Sequence, residues 1–275
     1  MWNEAEIAPL RERAKNIRLV AADLDGTLLG AIAVLTQRTA KALDMIRAKG
    51  VAFTICTGRS FYELGDLPKT LKLDKPVICR NGAEIVDPLT GETLFRRLIP
   101  AGKGAAFIRF CLENGVDVCL TDKNSAYMPR NSAFAGFFTL AGRTMTLFEN
   151  APPLESLEYY KIILLRDQPQ YAQARGAAER LGDMRIIGAA EEIDDIIAPD
   201  AHKGDGLKWA AEYLGAGREG CCAFGDYAND VPMLQYAGLS FAMENAGEDA
   251  RAAADFVAPP NPADGVAQVL EALFG

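Results

Sequence analysis

Short apolar runs alternate with helical hydrophobic patterns at both ends of this chain, and this alternation restricts its fold more than any other feature. Runs of strand length include Leu19 to Ala22, Val51 to Cys56 and Cys221 to Phe224. Residues Thr36 to Lys49 have the apolar spacing of a helix, which Gly50 would end. Strands that alternate with helices form βαβ units. The sequence therefore predicts an α/β fold with a parallel sheet.

The middle of the chain, from about residue 87 to 197, has a different pattern of turns, strands and helices. Turn signals there separate strands such as Tyr159 to Leu165 and Arg185 to Ile187 from helices. A chain of 275 residues is long for one hydrophobic core and sufficient for two domains. We therefore expect a Rossmann-like core made of residues 17–86 and 198–275, an inserted α/β cap of residues 87–197, and an N-terminal helical extension at residues 1–16.

Composition argues against several partners. The net charge of −8 disfavours nucleic acid and a basic membrane-surface mode. No apolar run approaches the roughly 20 residues that span a bilayer, and the N-terminus lacks the apolar block of a signal peptide. The six cysteines contain no Cys-x-x-Cys pair, which indicates free thiols in a reducing compartment. We therefore expect a cytoplasmic protein without a nucleic-acid or membrane partner.

The single histidine narrows the chemistry further. With only His202, a histidine-rich zinc site and a Ser-His-Asp triad are poor candidates. The chemistry must then depend on carboxylates, lysine, hydroxyls and a hard cation.

A first polar cluster, Asp23-Leu24-Asp25-Gly26-Thr27, directly follows the apolar run at residues 19–22. Two carboxylates two residues apart can point into one crevice, where one attacks a phosphorus atom and the other acts as general acid and base. Gly26 would let the backbone approach a phosphate closely. The structural alternative is a strand end followed by an ordinary Asp-Gly turn.

Two further clusters suit the oxygens of a phosphate group. Thr57-Gly58-Arg59 follows the second apolar run and offers a hydroxyl and backbone N–H groups; the alternative is a helix N-cap. Lys203 lies in the first turn of a predicted helix, where a cation opposes the helix dipole. A bound anion would explain that lysine, and a solvated surface position is the alternative.

The fourth cluster, Gly225-Asp226-Tyr227-Ala228-Asn229-Asp230, follows the run at residues 221–224. Its carboxylate and amide oxygens are hard ligands that suit Mg²⁺, and the alternative is an Asx-rich loop that caps the next helix. In doubly wound sheets, ligands bind outside the carboxyl ends of the strands. We therefore expect the four clusters to converge in space.

In this order, the four clusters resemble the motifs of the haloacid dehalogenase superfamily, and the inserted middle resembles the type IIB α/β cap of its Cof-like phosphatases. The resemblance covers about residues 17–273. Asn81-Gly82-Ala83 matches a segment that precedes the cap in this family. Met243-Glu244-Asn245-Ala246 matches a later segment, with Glu244 where glycine is usual.

The resemblance implies a role for each matched position. Asp23 would be the nucleophile and a Mg²⁺ ligand, and Asp25 would be the general acid and base with its backbone carbonyl on the metal. Asp226 would complete the metal site, and Asp230 would orient the groups around the metal. The phosphate would be bound by Gly26, Thr57, Gly58, Lys203 and Asn229.

The sequence thus predicts a Mg²⁺-dependent phosphatase that hydrolyses a small phosphorylated metabolite, such as a sugar phosphate, through an aspartyl phosphate. A sugar phosphomutase on the same fold is the alternative activity. A binding or regulatory protein that has lost turnover is the alternative class. The sequence leaves the substrate and the oligomeric state open, so a homo-oligomer is one of the states to test.

Overall fold

The computed structural model describes residues 4–30, 34–123, 125–135, 145–149, 153–190 and 192–275, which form two compact units. The first unit contains residues 1–94 and 202–275, and the second contains residues 95–201. The boundaries follow Leu94 and Ala201, whereas the sequence-based boundaries follow residues 86 and 197. In sequence, the second unit therefore lies between the two halves of the first.

A parallel sheet of five strands forms the centre of the first unit. Its order is β14-β13-β12-β1-β2, and each neighbouring pair is parallel. These strands are β1 (Leu19–Ala22), β2 (Ala52–Ile55), β12 (Cys221–Gly225), β13 (Leu239–Met243) and β14 (Phe256–Ala258). The three central strands in this order, β13, β12 and β1, are buried along their whole length, as is usual where helices cover both faces of a sheet. The predicted α/β class with a parallel-sheet core is confirmed.

Seven described helices and a small second sheet complete the first unit. The small sheet has the order β3-β4-β5 and contains β3 (Val77–Cys79), β4 (Glu84–Val86) and β5 (Thr93–Arg96), the last of which crosses the unit boundary. The helices are α1 (Glu4–Ala14), α2 (Gln37–Ala48), α3 (Leu67–Thr70), α6 (Lys203–Tyr213), α7 (Val231–Tyr236), α8 (Glu248–Ala253) and α9 (Gly265–Phe274).

The N-terminal helix α1 is part of the core of the first unit. Ile7, Leu10 and Ala14 are buried in the same apolar cluster as the central strands, and α1 packs against α9. Residues 1–16 were expected to form an extension outside the core at residues 17–86 and 198–275. Burial of this apolar face instead joins α1 to the core.

The second unit has a mixed six-stranded sheet with the order β10-β11-β9-β6-β7-β8. Every pair for which a register is known is antiparallel except β7 with β8. Its strands are β6 (Val118–Thr121), β7 (Ala126–Pro129), β8 (Met145–Phe148), β9 (Lys161–Leu165), β10 (Arg185–Ala190) and β11 (Ile193–Ile197), and its described helices are α4 (Ala101–Glu113) and α5 (Tyr171–Leu181).

Side chains alternate along β9, as the geometry of a strand requires. Ile162 and Leu164 belong to the apolar cluster that contains α4 and α5, whereas Ile163 belongs to another cluster with Met128 and Phe134. The second unit therefore has its own hydrophobic core. Across the described stretches of both units, each helix is too short or too polar for a membrane span.

Candidate active site

Three of the four polar clusters follow adjacent strands of the parallel sheet. Asp23 follows β1, Thr57 lies two residues beyond β2, and Asp226 follows β12. Because β1 pairs in parallel with both β2 and β12, the carboxyl ends of these strands meet at one edge of the sheet. This edge is where doubly wound sheets bind ligands.

Lys203 brings the third cluster to the same place. Its side chain is 1% exposed, and its Nζ donates to Asp23 Oδ1 at 2.6 Å and to Asp230 Oδ1 at 2.5 Å. The helix α6 begins at Lys203, and its N-cap is His202, whose Nδ1 accepts from the N–H of Asp205 at 3.0 Å. The surface alternative for Lys203 is therefore wrong, because two carboxylates compensate a buried cation at the start of a helix.

Asp230 is fully buried and uses both carboxylate oxygens. Oδ1 contacts Lys203, and Oδ2 accepts from the N–H of Asp226 at 2.9 Å and of Tyr227 at 3.0 Å. These bonds cap the 3-10 turn Ala228–Asp230, whereas the α-helix that follows, α7, has no side-chain cap. The alternative of a loop that caps the next helix therefore holds for the 3-10 turn only. Asp230 fixes the loop and orients the lysine at the same time.

Asp226 is half-buried beside the turn that follows β1. Its Oδ1 accepts from the hydroxyl of Thr27 at 2.6 Å. A Cβ at Gly26, whose φ is +89°, would stand 2.4 Å from Asp226 Oδ2. Glycine is therefore required here because it leaves room for the Asp226 carboxylate and adopts a left-handed backbone.

Three carboxylates of this edge form an acidic cluster among the described residues. Oxygens of Asp23, Asp226 and Asp230 all lie within 4.8 Å of one another. Burial raises the pKa of Asp23 to about 8, with help from the charges of Asp230 and Asp226 and against the effect of Lys203. Burial also raises the pKa of Asp226 to about 6, although the Thr27 hydrogen bond opposes the rise.

Lys203 shows the opposite balance. Burial alone would lower its pKa, but the charges of Asp23 and Asp230 outweigh burial and raise it well above the usual range. The pKa values of both members of this ion pair are therefore raised: that of Asp23 by burial first and then by the charges of Asp230 and Asp226, and that of Lys203 by its two carboxylate partners. Three carboxylates and one ammonium favour a divalent cation, and an all-oxygen donor set suits Mg²⁺. The residues therefore fit the metal that the sequence predicts.

The carboxylate of Asp25 lies outside this acidic cluster. It pairs with both ends of the Arg59 guanidinium, with Arg59 Nε at 2.9 Å from Asp25 Oδ2 and a second bond from Arg59 to Oδ1. The side chain of Asp25 is 56% exposed. The metal ligand expected from Asp25 is its backbone carbonyl. Its carboxylate can therefore rotate without moving that carbonyl.

Thr57 is buried and does not begin a helix. Its N–H donates to the carbonyl of Ile78 at 2.9 Å, and its Oγ1 accepts from the N–H of Arg59 at 3.2 Å. The next elements are a 3-10 turn at Tyr62–Leu64 and then α3. The N-cap alternative is therefore wrong, and the hydroxyl instead folds the loop that contains Gly58.

Asn229, the last of the predicted phosphate ligands, contacts a residue to which the sequence assigned no role. Its Nδ2 donates to Asn81 Oδ1 at 2.9 Å, and Asn81 is fully buried. The sequence likewise assigns no role to Arg59, which it names only within the cluster Thr57-Gly58-Arg59. The available sequence signals were an Asn-Gly pair after a short apolar run and an arginine beside a predicted phosphate loop.

A family model for haloacid dehalogenase-like hydrolases matches residues 20–270. The chain belongs to this family. Among its curated relatives is the 5-amino-6-(5-phospho-D-ribitylamino)uracil phosphatase YbjI of Escherichia coli K12, which is 28% identical over 263 residues, or 93% of this chain and 96% of the relative. The pyridoxal phosphate phosphatase YbhA of the same organism is 28% identical over 266 residues, or 92% and 97%.

A solved structure of a subclass IIB sugar phosphatase of the superfamily aligns with a TM-score of 0.78 and 25% identity, and covers 92% of this chain and 98% of that chain. The predicted membership of the Cof-like phosphatases is confirmed. This haloacid dehalogenase-like hydrolase is accordingly a phosphoric monoester hydrolase, as the sequence predicted.

Proposed function

We propose that this hydrolase is Mg²⁺-dependent and removes phosphate from a small phosphorylated metabolite in two steps, with Asp23 as the nucleophile. One observation carries the proposal. Lys203, a buried cation, lies 2.6 Å from Asp23 in an acidic cluster at the carboxyl edge of a parallel sheet. A carboxylate approaches a phosphate dianion only where cations screen both, and this arrangement supports such screening.

In the first step, a carboxylate oxygen of Asp23 forms a bond to phosphorus while the bond from phosphorus to the leaving oxygen breaks. Asp25 supplies the proton that the leaving oxygen takes up. In the second step, Asp25 accepts a proton from water, and the water oxygen attacks phosphorus. Inorganic phosphate leaves and the Asp23 carboxylate is restored.

Positively charged groups make this transfer possible. Lys203 would donate to a phosphoryl oxygen, and Thr57, Gly58, Gly26 and Asn229 would bind the remaining oxygens. When bound by Asp23, Asp226 and the backbone carbonyl of Asp25, Mg²⁺ supplies further charge that stabilises the transferring group. Asp230 would keep Lys203 and the Asp226 loop in position, as its contacts with both support.

Asp25 has to move during the cycle. Its bidentate pair with Arg59 fixes the direction of the carboxylate. Proton transfer requires Asp25 to turn from Arg59 to the leaving oxygen, and its exposed side chain has room to do so.

We assign substrate selection to the second unit, residues 95–201. The residues named above would contact only groups that all phosphate esters share. The relatives are named for a ribitylaminouracil phosphate and for pyridoxal phosphate, and the similar structure for a sugar phosphate. Their common feature, a phosphate on a small metabolite, is the substrate class that we propose.

The test is phosphate release from a panel of phosphorylated metabolites, with Mg²⁺ and with EDTA. We expect release that requires Mg²⁺ and that is abolished in Asp23→Asn, which has the same shape without the charge. Asp44→Asn, a change at an exposed carboxylate of α2 that pairs with Lys72, is the matched control and should keep full activity. Release that continues in EDTA or in Asp23→Asn would refute the proposal, and transfer to a sugar without free phosphate would indicate the phosphomutase.

A further inference from the structure

The turn at residues 80–82, directly after β3, has an unusual backbone. Arg80, Asn81 and Gly82 have φ values of 50°, 56° and 90°, so three consecutive residues lie in the left-handed region. Residues with a side chain avoid this region, asparagine less than others. Arg80 is buried, and its Nε donates to Glu84 Oε2 at 3.0 Å, which holds the turn in place. Strain that the surroundings maintain in this way often has a functional use.

This left-handed turn contacts three of the four polar clusters. The N–H of Asn81 donates to the carbonyl of Thr57 at 2.9 Å. A Cβ at Gly82 would stand 2.2 Å from the carbonyl oxygen of His202, so the turn lies against the start of α6. The side chain of Asn81 accepts from Asn229. The turn therefore joins the loops that would surround the phosphate.

The carboxamide of Asn81 is held on two sides. A Cβ at Gly58 would stand 3.3 Å from both terminal atoms of Asn81, so the carboxamide packs on the loop of the second cluster. On another side it meets Asn229 Nδ2 at 2.9 Å. Asn81 is fully buried, whereas Asn229 is only half-buried. The buried amide is thus the fixed partner, and the half-buried amide is the one that it orients.

We propose that Asn81 is a positioning residue for phosphate binding and acts through Asn229. A primary amide carries two hydrogens on nitrogen. Asn81 Oδ1 accepts one of those of Asn229, which fixes the plane of the Asn229 carboxamide and directs its second hydrogen to a phosphoryl oxygen. This inference rests on the proposed function, in which Asn229 binds the phosphate.

Two substitutions distinguish the contribution of the Asn81 side chain from that of its left-handed backbone conformation. Asn81→Gly removes the acceptor oxygen but adopts a left-handed backbone without strain, so the fold should be kept. Asn81→Asp keeps an acceptor oxygen and also tolerates this backbone. Asn81→Asp also adds a charge. Each Asn81 variant is therefore compared with the double mutant that carries Asn229→Ala in addition, because the added charge is present in both proteins and its effect cancels from their ratio.

The experiment measures kcat and KM for one phosphate ester, and the affinity for inorganic phosphate by calorimetry, in a double-mutant cycle. We expect Asn81→Gly to keep the melting temperature of the wild type and to lose roughly tenfold in kcat/KM and in phosphate affinity. Asn229→Ala should cost the same factor in the wild type and in Asn81→Asp, and less than about twofold in Asn81→Gly.

An equal cost of Asn229→Ala in all three backgrounds would overturn the inference, as would full phosphate affinity in Asn81→Gly. Loss of the Asn229 effect in Asn81→Asp would also contradict it, because that variant keeps an acceptor oxygen. If Asn81→Gly does not fold, Asn81→Ala takes its place in the cycle, because it removes the same acceptor oxygen. The wild type in the same series tests the proposed function separately. Failure of turnover there leaves the calorimetric cycle with inorganic phosphate as the test of Asn81.

Discussion

Lys203 Nζ lies 2.6 Å from Asp23 Oδ1, although 180 positions separate the two residues in the chain. The contact forms because α6 begins beside the edge where β1 ends, and because Asp230 holds the same ammonium at 2.5 Å. An ammonium with 1% exposure keeps its charge only where such partners surround it. The same contact would place a cation beside the proposed nucleophile before a substrate arrives.

Replacement of Lys203 by methionine should therefore destabilise the fold as well as stop catalysis. Removal of one partner of a buried ion pair leaves uncompensated charge, which costs about 3–5 kcal/mol. The measurement is the free energy of unfolding in urea, compared with Lys208→Met, which changes an exposed lysine of the same helix. A loss below about 1 kcal/mol would mean that Lys203 does not compensate the carboxylates.

Asp226→Asn should separate metal binding from folding. The acidic cluster crowds like charges, so removal of one charge should leave the metal-free protein as stable as the wild type or more stable. Mg²⁺ should raise the melting temperature of the wild type but not of Asp226→Asn, because a ligand stabilises only a state that binds it. Asp66→Asn, whose carboxylate is 89% exposed, is the control. An equal shift by Mg²⁺ in Asp226→Asn would place the metal elsewhere.

Substitution of Asp25 should slow the reaction by a factor that depends on the leaving group, whereas substitution of Arg59 should not show this dependence. In the proposed mechanism Asp25→Ala removes the proton donor of the first step, so kcat/KM should fall on the order of 10²-fold or more for alkyl phosphates and much less for p-nitrophenyl phosphate. Arg59→Ala breaks the ion pair but keeps Asp25, so it should affect both substrates alike. The ratio of the two kcat/KM values in each variant is the measurement, because kcat/KM covers only the first transfer and not the hydrolysis that both substrates share. An unchanged ratio in Asp25→Ala would remove Asp25 from the role of general acid.

The cysteines should be unreactive in the folded protein. All six are buried free thiols, and burial raises the pKa of Cys111 and of Cys221 to about 12. A raised thiol pKa leaves little thiolate, the reactive form, at pH 8. We expect no reaction with a thiol reagent at pH 8 until the chain unfolds, and six thiols afterwards. Rapid reaction of the native protein would contradict the burial of these side chains.

The strands that the sequence predicts best are those whose burial is evident from a continuous run of apolar residues. β1 has the predicted bounds and β12 begins at the predicted Cys221, because buried strands of a parallel sheet form continuous apolar runs. β13 was not predicted, since Ser240 interrupts its run. The structure shows why serine is tolerated there: its N–H donates to Asp255 Oδ2 at 3.1 Å, and its Oγ accepts from the N–H of Asp255 at 3.0 Å.

The candidate site also has features that the sequence predicts and features that it does not. The residue types of the four clusters and their places after strands could be identified in the sequence, and the structure brings Asp23, Lys203, Asp226 and Asp230 together. Contacts between distant positions could not be predicted. The burial of Lys203 depends on Asp23, and the link from Asn81 to Asn229 spans 148 positions. The capture of Asp25 by Arg59 across 34 positions is of the same kind.

In the proposed mechanism, Asp23 carries the phosphoryl group between the two steps. The most direct test is an acid quench during turnover of a phosphate ester labelled on phosphorus, followed by digestion and mass spectrometry. We expect a phosphoryl group on Asp23 that survives the quench and a digestion at low pH, is formed within one turnover, and is absent from Asp23→Asn. Turnover without a labelled protein, or a label that persists in Asp23→Asn, would contradict it.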